Sequence, residues 1–200
     1  MNMNILKLGV ILALFAAGAC VALAAVYTVT KPAIEGHEAK RLEMSLKDLF
    51  PEADAFTDIN GSIAASLSDV KVNGSWKATK GDAILGVAIK VTGKSYGGDA
   101  AMLVGVGTDR RLVGVRILEL TDTPGLGANA TSPTYFVDES SNTTFPGQFT
   151  GKALSDPFEV KKDIVAITAS TITSKALTLI AKAAGQAGGQ WLEKAAEGGM

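Results

Sequence analysis

The chain is short of the residues that most often carry chemistry. It has one cysteine, Cys20, and one histidine, His37, in 200 residues. A lone cysteine excludes an internal disulfide, a zinc ribbon and an iron–sulfur cluster held by this chain alone. A lone histidine excludes a histidine-rich metal site, and a Ser–His–Asp triad would have to recruit His37, just beyond the apolar N-terminal run. Positive charge is not in excess: 19 Lys and Arg against 20 Asp and Glu leave a net charge of −1. Nucleic-acid phosphates need a concentrated basic surface, so no nucleic-acid partner is expected. Nucleotide motifs are missing too. Gly105-Val106-Gly107 continues into Thr108-Asp109-Arg110 and completes no dinucleotide fingerprint, and no G-x-x-x-x-G-K-[ST] loop is present.

What the chain does have is a long apolar start. Leu8 to Val29 is a run of 22 residues without a charge. As a helix it would reach about 33 Å, enough to cross a hydrocarbon core of about 30 Å. Tyr27 lies near its far end, where an amphipathic ring suits the interface. The stub before it carries Lys7 and reads as cytoplasmic, which puts the rest of the chain on the periplasmic or extracytoplasmic side of the plasma (inner) membrane. A cleaved signal peptide ending at Ala22-Leu23-Ala24 is the competing reading, but the run exceeds the usual core of about 7–15 residues. Cys20 lacks the aliphatic residue that precedes a lipoprotein cysteine, and reads as a small membrane-buried residue.

The remainder reads as α+β. Pro32 to Phe50 places Ala39, Leu42, Leu46 and Leu49 at helical spacing, and Pro51 stops it. Residues 55–83 are mixed, with turn signals at Asn60-Gly61, Asn73-Gly74 and Gly81-Asp82. Ile84–Thr92, Ala101–Gly107 and Leu112–Leu120 read as strands, with 108–111 as a hairpin turn between the last two. Thr121 to Phe149 reads as a long loop. Ser174 to Ala184 reads as a helix broken by Gly185, Gly188 and Gly189, with a short helix from Gln190 to Ala196. The expected organisation is a stub and anchor over 1–30, a membrane-proximal helix and lead-in over 31–83, and a domain over 84–200 with an antiparallel sheet and flanking helices.

Two segments exceed what packing needs. In one, Tyr96-Gly97-Gly98 lies upstream of Thr123-Pro124-Gly125-Leu126-Gly127, a rigid loop that can press backbone and one apolar side chain against a flat surface. A wide turn after a strand is the plainer reading of the same residues. In the other, Thr168, Ser170, Thr171, Thr173 and Ser174 crowd the start of the last helix. One hydroxyl suffices for a cap, and a helix N-terminus also offers unpaired N–H groups to a phosphate.

On these residues the chain resembles the covalent FMN-binding domain family of ion-translocating electron-transfer complexes. That family includes the G subunit of the Rnf electron-transport complex and the C subunit of the sodium-translocating NADH:quinone oxidoreductase. The resemblance covers the anchor and roughly residues 84–184. It implies FMN held by a phosphoester to Thr171, with Thr168 opening the recognised motif. Ala169 stands where the family usually has Gly, Ser170 where it has Ala, and Asp122 where it has Glu. It further implies that Thr168, Ser170, Thr173, Ser174, Tyr96, Gly97, Gly98, Thr123, Gly125, Leu126 and Gly127 surround the flavin. The implied role is an electron-relaying component of a membrane-bound ferredoxin:NAD-type complex. Its implied partners are the other membrane subunits of an Rnf-type complex and a flavin transferase for maturation. The alternative from another class is a membrane-tethered extracytoplasmic binding or sensory module in which the hydroxyl run only caps a helix.

Overall fold

The computed structural model describes residues 3–64 and 69–197. Met1 and Asn2 of the stub lie outside the described residues. The chain divides into two compact units, 1–44 and 45–200.

The first unit is helical. Helix α1, Met3–Leu49, runs through Pro32 without a break, so the expected anchor and the following helix form one element. Pro32 removes one backbone N–H, a local loss within so long a helix. Its apolar side chains are exposed around the whole circumference, from Leu8 and Ile11 to Phe15, Val21 and Val26. A helix apolar on all sides and long enough to cross a bilayer suits lipid rather than a protein core.

The second unit is built on a five-stranded antiparallel meander, β1 (Ala55–Asp58), β2 (Val70–Lys80), β3 (Ala83–Lys94), β4 (Asp99–Gly107) and β5 (Leu112–Leu120), in sequence order. Strand β4 is buried along nearly its whole length because both faces of the sheet are covered. On one face Leu49 and Phe50 settle over glycines of three strands. A Cβ on Gly86 would lie 2.8 Å from the Phe50 ring, and one on Gly114 would lie 3.0 Å from Leu49. Gly105 and Gly114 stand opposite one another in the register, so the depression they leave is continuous. On the other face Val87, Ile89, Val91, Met102, Val104 and Val106 meet helix α2, Thr171–Glu197.

Helix α2 starts three residues before the expected Ser174 and continues past Ala184 to Glu197. Its glycines do not break it. Each costs about 1 kcal/mol of helix propensity relative to Ala. In return the helix lies close to the sheet: a Cβ on Gly188 would come within 2.8 Å of Val106 and 3.0 Å of Ile89. The mixed region 55–83 contains β1 and β2, and Asn73-Gly74 lies at a bulge inside β2 rather than at a turn. Gly81-Asp82 does make the β2–β3 turn. The long loop carries a small two-stranded sheet, β6 (Phe136–Asp138) with β7 (Thr143–Thr144), and is anchored by the fully buried Phe145 and Phe149.

Candidate functional site

Three segments converge beside the start of α2. The turn after β3 contributes Tyr96. The loop after β5 contributes Thr123, Leu126 and Gly127, and residues 169–173 close the other side. Between them lies a cleft of about 430 Å³, within the range typical of small-molecule and cofactor sites. Its rim is apolar and open to solvent: Tyr96, Leu126 and Ile172 are 65%, 41% and 62% exposed. Among the described residues no carboxylate, imidazole or amine lines it.

Of the clustered hydroxyls, those of Thr173 and Ser174 are spent on folding, while those of Thr168, Ser170 and Thr171 make no hydrogen bond among the described residues. Ser174 Oγ accepts the Ile167 N–H at 2.9 Å and donates to the Ser170 carbonyl at 2.9 Å, which folds the chain into the helix start. Thr173 Oγ1 donates to Asp122 Oδ2. Thr168 is exposed and off the cleft, its N–H bound to Tyr135 Oη at 3.1 Å. Ser170 lines the cleft but is only 7% exposed. Thr171 lines it half-buried, and among the described residues its hydroxyl makes no hydrogen bond. The first bond into the helix runs from Ser174 N to the Ser170 carbonyl at 3.0 Å. The N–H groups of Thr171, Ile172 and Thr173 therefore have no partner among the described residues and sit at the positive end of the helix dipole.

Of the residues singled out from sequence, Tyr96, Thr123, Leu126, Gly127, Ser170, Thr171 and Thr173 line the cleft. Gly97, Gly98, Gly125, Thr168 and Ser174 lie in its supporting segments. Gly98 and Gly125 turn the chain there at φ 151° and 74°. Ala169 and Ile172 also line the cleft and were absent from the expected set. Ala169 has φ 58°, in the left-handed region where glycine is favoured.

The strongest addition is Asp122, 5% exposed. Its carboxylate accepts from Ser95 Oγ at 2.9 Å, from the Gly97 N–H at 2.8 Å and from Thr173 Oγ1. Burial alone would push this carboxyl up. The hydrogen bonds from Thr173, Gly97, Ser95 and the Tyr96 backbone outweigh burial and hold it below its ordinary value. The sequence signal was its place directly before Thr123-Pro124, but burial and donors are properties of the fold.

An uncommitted hydroxyl, three free N–H groups and an apolar rim form a set suited to a phosphate joined to a flat aromatic ring. Comparison with known proteins agrees. Residues 95–186 match the FMN-binding domain, and residues 1–49 match the RnfG N-terminal region. The G subunit of the proton-translocating ferredoxin:NAD(+) oxidoreductase complex of Clostridium ljungdahlii is 32% identical over 162 residues, covering 78% of this chain and 76% of that protein. Its sodium-translocating counterpart in Acetobacterium woodii is 30% identical over 190 residues, covering 87% and 86%. The solved structure of NqrC from Shewanella oneidensis aligns over 68% of this chain and 72% of its own, with a TM-score of 0.44 and 19% identity. With an RnfG N-terminal region, an FMN-binding domain and relatives matched along most of their length, the chain belongs to the RnfG family of ion-translocating oxidoreductase complex subunits.

Proposed function

We propose that this protein is an electron-carrying flavoprotein within a membrane-bound, ion-translocating ferredoxin:NAD-type complex, with FMN attached by a phosphoester to Thr171. The observation that carries this reading is the Thr171 hydroxyl, half-buried on the cleft at the first residue of α2 and without a hydrogen bond among the described residues. Ser170 beside it is only 7% exposed, and the Thr173 and Ser174 hydroxyls are used for folding. FMN supplies the redox chemistry when bound; the protein supplies attachment, orientation and tuning. The N–H groups of Thr171, Ile172 and Thr173 hold the anionic phosphoryl oxygens, helped by the helix dipole. Tyr96, Leu126 and Ile172 offer apolar surface to the ring. Attachment is assigned to a separate flavin transferase, a reading with which the absence of a carboxylate, imidazole or amine lining the cleft among the described residues is compatible. Helix α1 anchors the domain in the membrane and leaves it on the extracytoplasmic side, among the other subunits of the complex.

The test is flavin fluorescence retained through denaturing electrophoresis, on protein coexpressed with a flavin transferase. A fluorescent band that disappears in Thr171→Ala supports the assignment. A dark band in the unsubstituted protein, under conditions that load a known member of the family, refutes covalent attachment.

A further inference from the structure

We propose that Asp122 is the charged positioning residue of the cleft: it fastens the 95–98 turn and the first turn of α2 to the 121–127 loop, and its charge lowers the reduction potential of the group held there. The second half rests on the FMN reading above; the first does not.

The fastening is read from the donors. The carboxylate takes hydrogen bonds from Ser95 and Gly97 on one segment and from Thr173 on another, while its own backbone belongs to a third. The packing leaves no slack around it. A Cβ on Gly127 would lie 2.6 Å from Asp122 Oδ2 and 2.5 Å from Thr173 Oγ1. A Cβ on Gly97 would lie 2.5 Å from the Thr121 carbonyl. Gly127 and Thr173 both line the cleft, so the carboxylate stands directly behind its wall.

The electrostatic effect follows from what does not surround it. Among the described residues no lysine or arginine pairs with Asp122, whereas the partly buried Asp163 has Lys152 at 3.1 Å. Hydroxyl and N–H dipoles stabilise the Asp122 charge without cancelling it. A fixed negative charge close behind the wall of a poorly solvated site disfavours placing further electrons in that site.

Geometry and charge can be separated by substitution. In Asp122→Asn the amide oxygen can still accept the Gly97 N–H. The two amide hydrogens can be donated to Ser95 and Thr173, whose hydroxyls also accept. The clasp is kept and the charge removed. Asp122→Ala removes both.

The experiment has two arms on the full-length chain in detergent. In the first, the chain is made without a flavin transferase and amide hydrogen exchange is followed at Gly97. Protection should be kept in Asp122→Asn and lost in Asp122→Ala; unchanged exchange in Asp122→Ala overturns the clasp. In the second, the chain is loaded by a coexpressed transferase, the adduct is verified by intact mass, and the flavin is titrated spectroelectrochemically. Asp122→Asn should shift the redox equilibrium at least tenfold towards the reduced form, about 30 mV more positive for a two-electron couple. An Asp122→Asn protein that titrates with the unsubstituted one overturns the electrostatic role. A wild-type chain that acquires no adduct overturns the FMN reading instead, and the exchange arm still decides the clasp.

Discussion

Replacing Ala169 by glycine should stabilise the protein, against the usual rule that glycine loosens a chain. Ala169 has φ 58° two residues before the helix start, where its Cβ crowds the following carbonyl. A non-glycine residue held there costs about 1–2 kcal/mol. The opposing term is the greater freedom of glycine in the unfolded chain, about 0.4–1 kcal/mol. The alanine methyl is exposed on the cleft, so little apolar burial is lost with it. The net is a gain of up to about 1.6 kcal/mol, each kcal/mol being about 2–4 °C in Tm for a chain of this size. The assay is thermal unfolding of the full chain in detergent, with Ala169→Val as the opposite control because a β-branched side chain tolerates this conformation worse. A melting temperature that falls in Ala169→Gly, or rises in Ala169→Val, would refute the strain argument.

Other outcomes follow from the same geometry. Gly188→Ala adds helix propensity of about 1 kcal/mol, but its Cβ meets Val106, Ile89 and Val87 at 2.8, 3.0 and 3.1 Å. Overpacking of about 1–3 kcal/mol should exceed that gain, giving a lower denaturation midpoint. Asp122 and Asp163 both have folded pKa values below the unfolded value of 3.8. Their contribution is therefore complete above that value and lost as pH falls through the lower folded ones, so Asp163→Asn should narrow the stability difference between pH 7 and pH 3 in denaturant titrations. Protease added to intact spheroplasts should digest the chain beyond α1, and a protected domain would reverse the proposed orientation.

The parts of the fold governed by local pattern were legible in the sequence. β5 has the expected bounds, and β3 and β4 extend the expected strands by one or two residues at each end where they differ. The same pattern hid β2, because lysines at 71, 77 and 80 and a bulge between Val72 and Gly74 disturb its alternation. Glycine misled the reading of α2 for a different reason. A breaker and a close-packing residue look alike until the neighbouring strand is known, and at Gly188 that neighbour is Val106. At the site, the sequence supplied the hydroxyls but not their division of labour. Thr171, Thr173 and Ser174 differ in which partners the fold brings to them, and those partners are Asp122, from the loop after β5, and the backbone of Ile167 and Ser170.

The most direct measurement is the intact mass of the protein coexpressed with a flavin transferase, compared with Thr171→Ala and Ser170→Ala. The expected result is one FMN phosphoester adduct on the unsubstituted chain and on Ser170→Ala, and none on Thr171→Ala. Thr171 is half-buried and its hydroxyl makes no hydrogen bond among the described residues, so its loss should change stability by no more than about 1 kcal/mol. A missing adduct in that variant would thus report attachment rather than unfolding. An adduct that persists in Thr171→Ala would contradict the account and move the attachment to another hydroxyl of the segment.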